Sequence, residues 1–360
     1  MVGMRDVAKE AGVSLSTVSL GVNKTGYVSD DMRERVNTAM KKLNYVPNEL
    51  ARNLYKNRTN LVGVIVPTIR HPFFATLAAH LQHELAVYGL RTMLCSTADT
   101  ENGEAEYVDM LRRRMMDGVI VCSHTTHPND YWTSIHRPIV AFDRVLGGGI
   151  ASIGSDHEQG GRLMAHMLVN TGAHHVVMIG GPRDQFFDLA AQGDVPDDFD
   201  LHKTTFPTIR YYLALEQALK AAGVRYEYVE AGNVEDFQGY KNAVNAVLNR
   251  MPVDGVDAVV SSDIGASFCV REALGRGISI PDELQIVAYD GTYLTDLAGM
   301  KLTAVAQDFS AIAQSAADHI VQAIANEEVA AANASRKNIP KPFEPNVLIP
   351  MTLVPGDTTR

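Results

Sequence analysis

Four short hydroxyl side chains lie within six residues near the start of the chain, at Ser14, Ser16, Thr17 and Ser19. Because these side chains barely extend beyond the backbone, a helix that exposes them can approach phosphate oxygens and base edges closely. We find no set of nucleophile, base and orienting group anywhere in the chain, so this stretch predicts a binding surface rather than a catalytic one.

Two short helices that meet at a glycine would position these hydroxyls. The first is predicted from Met4 to Ala11, and Gly12 suits the positive φ that ends a helix. Ser14 is a good N-cap for the second, and Ser29 for a third. The apolar positions expected to form their shared core are Val7, Ala8, Ala11, Val13, Val18, Val22, Val36, Ala39, Met40 and Leu43. This is the geometry of a helix-turn-helix, with a generic three-helix protein-binding module as the alternative.

A short amphipathic segment follows the third helix. Pro47 ends that helix, and Asn48 can cap a fourth of about two turns, from Glu49 to Tyr55. So short a helix is marginal in water, because helix nucleation is costly. It is either a frayed linker or a hinge helix that becomes ordered against a partner such as DNA.

Charge is distributed unevenly along the 360 residues, whose formal net charge is −10. Residues 1–60 carry 10 basic and 6 acidic residues, a net +4, whereas the remainder carries 22 and 36, a net −14. A basic head on an acidic body indicates that only the head meets a polyanion, although +4 is small enough to arise by chance.

The chain shows no targeting or membrane signal that would suggest export. Its first residues are polar and periodic, and no apolar run approaches the roughly 18 residues of a membrane span. Cys95, Cys122 and Cys269 are scattered within apolar patterns, which is typical of free thiols in a reducing compartment. We therefore expect a cytoplasmic protein.

From Leu61 onwards, short apolar runs alternate with helix-like stretches. Continuous apolar strands separated by helices are typical of parallel sheets that are covered on both faces. About 300 residues is too many for one open sheet of this kind, so two βαβ subdomains are predicted and the fold class is α/β. The predicted strands are LVGVIVP, RTMLCS, DGVIVCS, PIVAFD, HVVMIGG, AVVSS and LQIVAYD.

The chain resembles the LacI/GalR-type family of bacterial transcription regulators. The residues that carry the resemblance are DVAKEAGVSLSTVS, YVSDDMRERV, LNYVPNELARNL, VGVIVP and HPFF. It implies a helix-turn-helix headpiece followed by a two-lobed core like that of periplasmic binding proteins.

The resemblance also implies which residues contact DNA. Leu15 to Leu20 would lie on the recognition helix in the major groove, and Leu54 would wedge between central base pairs from the minor groove. Leu20 replaces a polar or basic base-reading residue of several relatives, so an apolar contact with a thymine methyl group is a further alternative. The expected DNA-binding set is Ser14, Leu15, Ser16, Thr17, Ser19, Leu20, Asn23, Asn48, Ala51, Arg52 and Leu54.

The expected domain boundaries follow the same resemblance. The headpiece is residues 1–46 and the hinge helix with its linker is residues 47–60. Residues 61–160 with 292–325 form the N-terminal lobe, and 161–291 with 326–357 the C-terminal lobe. The chain would therefore cross between the lobes near Gly160, Gly291 and Asn326.

Ligands of open parallel sheets bind outside the carboxyl ends of the strands, here in the cleft between the lobes. The residues that this rule and the resemblance select as effector-binding are His71, Phe73, Phe74, Asp143, Arg144, Arg210, Asp263 and Gln307. Asp290 also ends a strand, but we interpret it as a helix-capping carboxylate. Aromatic rings, carboxylates and amides together suit a sugar.

An insertion of roughly 20 residues between Arg183 and Pro207 departs from the family pattern. Alignment of the helix after it places Tyr211 where relatives carry a ligand-binding arginine, with Arg210 one residue early. Either Arg210 takes the arginine's place or the effector is bound differently.

These observations predict a ligand-responsive, sequence-specific DNA-binding repressor of carbohydrate genes. Leucine heptads for a tetramer are missing, so we expect a homodimer on a pseudo-palindromic double-stranded operator. We expect no enzyme activity, metal, cofactor or membrane contact. A non-sugar effector such as a purine, or a solute-binding protein without a regulatory role, stays an alternative.

Overall fold

The computed structural model describes residues 2–23, 26–47, 58–98, 103–123, 127–128, 130–183, 204–332 and 346–360. The chain divides into two compact units, Met1–Thr59 and Asn60–Arg360.

The first unit contains three helices, α1 Met4–Ala11, α2 Leu15–Asn23 and α3 Asp30–Lys42. Their apolar sides meet in one core, with Val7 and Val18 fully buried. All ten predicted core residues belong to this cluster, which also includes Met4 and Tyr45. The predicted headpiece is therefore confirmed in its described part.

The second unit begins with a parallel sheet that we call the N-terminal lobe. Its strands are β1 Leu61–Val66, β2 Arg91–Ser96, β3 Gly118–Val121, β4 Ile139–Phe142, β5 Ala151–Ser155 and β11 Asn346–Ile349. The spatial order is β11-β5-β4-β3-β1-β2, and every neighbouring pair is parallel. Its faces are covered by α4 Pro72–Val87, α5 Glu104–Arg112 and α10 Phe309–Ala332, with a 3-10 turn at Thr133–Ile135.

A second sheet forms the C-terminal lobe. Its strands are β6 His175–Gly180, β7 Arg225–Glu230, β8 Ala258–Ser262, β9 Gln285–Asp290, β10 Thr303–Ala306 and β12 Thr352–Val354. Their order is β12-β10-β9-β8-β6-β7, parallel throughout except for β12. Its helices are α6 His157–Asn170, α7 Ile209–Ala221, α8 Phe237–Asp254 and α9 Asp263–Gly275, with a 3-10 turn at Tyr293–Asp296.

All seven predicted strands are present, each as an interior or an edge strand of one of the two sheets. Strands β1, β3 and β4 are almost wholly buried, as expected for parallel strands covered on both faces. The three cysteines are buried and free.

Two of the three predicted crossings between lobes are wrong. The first lies near Asp156, between β5 and α6, close to the prediction. The second follows β10, because Thr303–Ala306 pairs with β9 in the C-terminal sheet, and the chain crosses only at residues 307–308. The third lies at residues 350–351, because Asn346–Ile349 pairs with β5 in the N-terminal sheet. Helix α10 and β11 therefore belong to the N-terminal lobe.

Candidate nucleic-acid interface and effector cavity

The turn between α1 and α2 is built by three local devices. Gly12 ends α1 with a φ of 62°, where a side chain would be strained. Ser14 Oγ accepts the backbone N–H of Thr17 at 3.0 Å and so caps α2. Arg35 of α3 donates to the carbonyl oxygens of Ala11 and Gly12 at 2.7 and 2.9 Å. This arginine braces the turn and compensates the negative end of α1.

Helix α2 presents the predicted hydroxyl surface. The Ser14 hydroxyl lies 2.8 Å from those of both Ser16 and Thr17. Leu15 and Leu20 are 43% and 36% exposed although both are large and apolar. Short polar groups flanked by exposed leucines can meet base edges and thymine methyl groups.

Two further predicted contacts, Ser19 and Asn23, lie towards the C-terminal end of α2. Asn23 donates through Nδ2 to Ser19 Oγ at 3.3 Å, which holds both side chains on α2. The predicted hinge contacts fall outside the described residues, namely Asn48, Ala51, Arg52 and Leu54.

A cavity lies in the second unit where the two sheets meet. The cavity has a volume of about 80 Å3. Of the predicted effector residues, His71, Phe73, Phe74, Asp143 and Gln307 line it. The other lining residues are Cys122, Phe142, His157, Thr208, Tyr211, Tyr212, Val234, Tyr240, Ser262, Tyr289 and Asp290.

The N-terminal lobe contributes an apolar wall to the cavity. His71 Nδ1 accepts the Phe73 backbone N–H at 3.3 Å and caps α4, and burial lowers the pKa of His71 to about 4. The histidine is therefore neutral at physiological pH. The Phe73 ring stacks on Phe142 with centroids 5.9 Å apart and meets Phe74 edge-on at 5.1 Å.

The C-terminal lobe contributes a wall of tyrosines. Tyr211 stacks on Tyr289 with centroids 3.7 Å apart and planes 12° apart, and Tyr212 lies 3.9 Å from Tyr211. Gly161 of α6 permits this arrangement, since a Cβ there would lie 2.5 Å from the Tyr211 carbonyl oxygen. Only glycine lets α6 and α7 approach so closely.

A pair of consecutive buried side-chain hydrogen bonds joins the lobes beside the cavity. Ser155 donates its hydroxyl to Gln307 Oε1 at 2.6 Å, and Gln307 Nε2 donates to Asp290 Oδ1 at 2.9 Å. Burial, and next the charge of Asp263, raise the pKa of Asp290 well above its usual range. Residues 155 and 307 lie at the first two crossings between the lobes. These hydrogen bonds therefore connect both crossings to the cavity-lining Asp290.

A second set of side-chain contacts joins Asp143 of the N-terminal lobe to the C-terminal lobe. Asp143 Oδ2 lies 2.9 Å from His157 Nε2, close enough for an ion pair although not aligned for a hydrogen bond. The other ring nitrogen of His157 bonds the Tyr289 hydroxyl. Asp143 and Asp290 both have positive φ, 49° and 114°, a strain that is common at functional sites.

Family models match both units of the chain. Residues 3–48 match the family model described as bacterial regulatory proteins, lacI family. Residues 59–190 match periplasmic binding proteins and sugar binding domain of LacI family, and residues 165–359 match periplasmic binding protein-like domain. The chain belongs to the lacI family of bacterial regulatory proteins.

Curated relatives of this lacI-family chain extend along nearly its whole length. It is 31% identical to the sucrose operon repressor of Streptococcus mutans over 325 residues, 90% of this chain and 93% of that protein. It is 30% identical to the ribose operon repressor of Bacillus subtilis over 360 residues, 100% and 99% of the two chains.

Solved structures share the fold. The Lac repressor dimer bound to operator and the anti-inducer ONPF has a TM-score of 0.76 at 21% identity, covering 99% of this chain and 98% of that one. The transcriptional regulator CelR in complex with cellobiose has a TM-score of 0.61 at 22% identity, covering 99% and 100%.

Three of the predicted effector residues of this lacI-family chain do not line the cavity. Asp263 instead accepts the backbone N–H groups of Thr292 and Gly291 at 2.5 and 3.2 Å, which holds the turn after β9. Burial raises the pKa of Asp263 to about 6, while these bonds oppose the rise. Asp290, which the sequence analysis interpreted as a helix-capping residue, lines the cavity instead. The roles expected for the two carboxylates are therefore reversed.

Arg144 and Arg210 are the other two. Arg144 is 4% exposed, donates to the Ser123 carbonyl oxygen, and lies 4.1 Å above the ring of Phe206. Because Phe206 belongs to the C-terminal core, Arg144 joins the lobes outside the cavity. Tyr211 rather than Arg210 lines the cavity, at the position where the family resemblance predicted an arginine.

The insertion is described only at its ends. Its last residues cross to the N-terminal lobe, where Val145 donates its backbone N–H to the Thr205 carbonyl oxygen at 2.9 Å. Residues 184–203 lie outside the described part.

Sequence reasoning missed several cavity residues, of which His157, Tyr212 and Tyr289 are the most prominent. A usable signal existed for His157, which is the first residue of the helix after a strand, and for Tyr289, the residue before a strand-end aspartate. No helix among the described residues is long and apolar enough to cross a membrane.

Proposed function

We propose that this chain represses carbohydrate genes as a homodimer and releases its operator when a sugar occupies the cavity. The observation that carries the proposal is that both lobes supply cavity-lining groups. A ligand touching both lobes binds best at one lobe angle, so its binding shifts the population of lobe arrangements.

The chemistry of the cavity suits a sugar. The Tyr211–Tyr289 pair and the Phe73 ring offer flat apolar surfaces to the C–H faces of a pyranose or furanose. Asp143, Asp290 and Gln307 offer acceptors and one amide donor to hydroxyl groups. The sugar-operon repressors among the relatives are consistent with this class of effector.

The helix-turn-helix supplies the other half of the function. We assign base and phosphate contacts to the exposed hydroxyls and leucines of α2, from Ser14 to Leu20, and to Asn23. The hinge contacts at Asn48, Ala51, Arg52 and Leu54 follow from the family resemblance, with Leu54 as the minor-groove wedge. Twofold symmetry then predicts a pseudo-palindromic operator.

The test uses the full-length protein and a pool of random DNA duplexes. Repeated selection should enrich a pseudo-palindromic sequence, and fluorescence anisotropy should then show that a sugar lowers affinity for it. Replacement of Ser16 by alanine should weaken the specific complex, while the matched variant Thr38→Ala, at an exposed site on α3, should not. Recovery of no preferred sequence, or equal binding by the Ser16 variant, would contradict the assignment of α2.

A further inference from the structure

Apart from one cysteine and the tyrosines, the ionisable side chains of the described cavity lining are two aspartates and two histidines. Asp143 and Asp290 are 5% and 8% exposed, and His157 pairs with Asp143. Burial lowers the pKa of His71, so this ring stays uncharged near neutral pH. Among the described residues that line the cavity, none is a lysine or an arginine.

Neither of the two nearby arginines that could bind a ligand, Arg144 and Arg210, lines the cavity. Arg144 donates to the Ser123 carbonyl oxygen and covers the Phe206 ring. Arg210 lies one residue from the cavity-lining Tyr211, which turns it to another side of α7. Neither supplies a guanidinium to the cavity lining.

Helix N-termini are the other common source of anion binding, because their first backbone N–H groups lack partners. At α4, Pro72 has no N–H and the His71 ring accepts that of Phe73. At α6, Asp156 accepts the N–H of Gln159 at 3.0 Å. At each of these two N-termini, a side chain of the protein itself accepts one of the first backbone N–H groups.

The backbone donors of two further segments near the cavity are also taken. The N–H groups of Ile209 and Tyr211 at the start of α7 donate to Phe206 and Thr208 at 3.2 and 3.3 Å. Asp263 occupies the N–H groups of the turn after β9. The N–H groups of these two segments are therefore not available to an anion.

We propose that the effector carries no phosphate, carboxylate or other anionic group, and that the protein responds to a free sugar rather than to its phosphorylated form. This rests on the proposed sugar effector. A phosphate buried beside the carboxyl groups of Asp143 and Asp290, with no lysine or arginine in the described lining, would have its charge poorly compensated, whereas neutral hydroxyls can donate to those carboxyl groups. Enzymes that transfer a phosphoryl group to the sugar would then consume the effector and restore repression.

The test compares matched pairs by isothermal titration calorimetry on the full-length protein. The pairs are D-ribose with ribose 5-phosphate, D-fructose with fructose 6-phosphate, and sucrose with sucrose 6-phosphate. We expect at least one free sugar to bind and its phosphate ester to bind at least about 100-fold more weakly. A phosphate ester that binds as tightly as its free sugar would overturn the inference. Binding of none of the six compounds would contradict the proposed sugar effector itself, and the inference would then have no basis.

A variant with an added positive charge tests the electrostatic reason. Thr208→Arg places a cation at the half-buried start of α7, beside the cavity, and should shift the ratio of the two affinities at least about tenfold toward the phosphate ester. Gln217→Arg makes the same charge change on the exposed side of α7 and should leave the ratio unchanged. An unchanged ratio in Thr208→Arg would show that charge does not set the discrimination.

Discussion

Asp290→Asn is expected to weaken the effector complex without harming the fold. The carboxylate is 8% exposed, and its Oδ1 accepts the Gln307 amide at 2.9 Å. Asparagine keeps that acceptor, tolerates the φ of 114° better than most residues, and removes the charge.

The expected change in stability has a definite sign. Burial, and then the charge of Asp263, raise the pKa of Asp290, so the folded protein holds this proton more tightly than the unfolded chain. Wild-type stability therefore falls as pH rises from the ordinary aspartate value of 3.8 towards the raised one. The variant lacks this fall and should unfold at an equal or higher temperature at neutral pH.

The expected change in effector affinity follows from one lost acceptor. A hydrogen bond to a charged group is worth about 1.5–3 kcal/mol, so the sugar should bind about 10- to 150-fold more weakly. Calorimetric titration gives the affinity and differential scanning calorimetry the melting temperature. Asp296→Asn removes the same charge at an exposed position and should change neither. Unchanged sugar affinity, or a melting temperature several degrees lower, in Asp290→Asn would refute the reasoning.

Three further predictions concern the head and the two lobes. Gly12→Ala should destabilise the head by about 1–2 kcal/mol because of its left-handed φ, whereas Gly21→Ala, with open space at its Cβ, should stabilise it by about 0.5–1 kcal/mol; calorimetry that orders them otherwise would contradict this. Because burial lowers the pKa of His71 to about 4, the unfolded chain binds the proton first as pH falls. The free energy of unfolding should therefore fall by about 3 kcal/mol between pH 6.5 and pH 4. Urea unfolding of His71→Asn should lack that loss, and an identical pH profile would exclude the histidine as its source. Phe206→Ala, which empties a site only 1% exposed, should cost about 3–5 kcal/mol in urea unfolding, and a loss below about 1 kcal/mol would mean that the contact with Arg144 is unimportant.

The headpiece could be predicted from the sequence because its devices are local. Gly12, Ser14 and Ser29 each act within one turn of their own position, and the structure shows each at the predicted helix end. The two-sheet architecture was likewise predictable, because a buried parallel strand must be apolar along its whole length.

The lobe assignment of later segments could not be predicted in this way. Thr303–Ala306 and Asn346–Ile349 are short strands whose composition does not specify a sheet. Only the tertiary pairing with β9 and β5 decides it.

The cavity was predicted in part, for a related reason. Asp263 and Asp290 both end strands, and only the direction of each carboxylate separates a turn-holding role from a cavity-lining one. Arg210 and Tyr211 differ by one residue, about 100° around a helix, so a small shift of helix phase exchanges them.

The most direct test of the coupling between cavity and head is the affinity of the sugar for the protein with and without operator DNA. Linkage requires that the sugar and the operator weaken each other by the same factor, and typical coupling is about 5- to 150-fold. We predict that the operator-bound protein binds the sugar at least about fivefold more weakly than the free protein. Equal affinity in the two states would contradict the account.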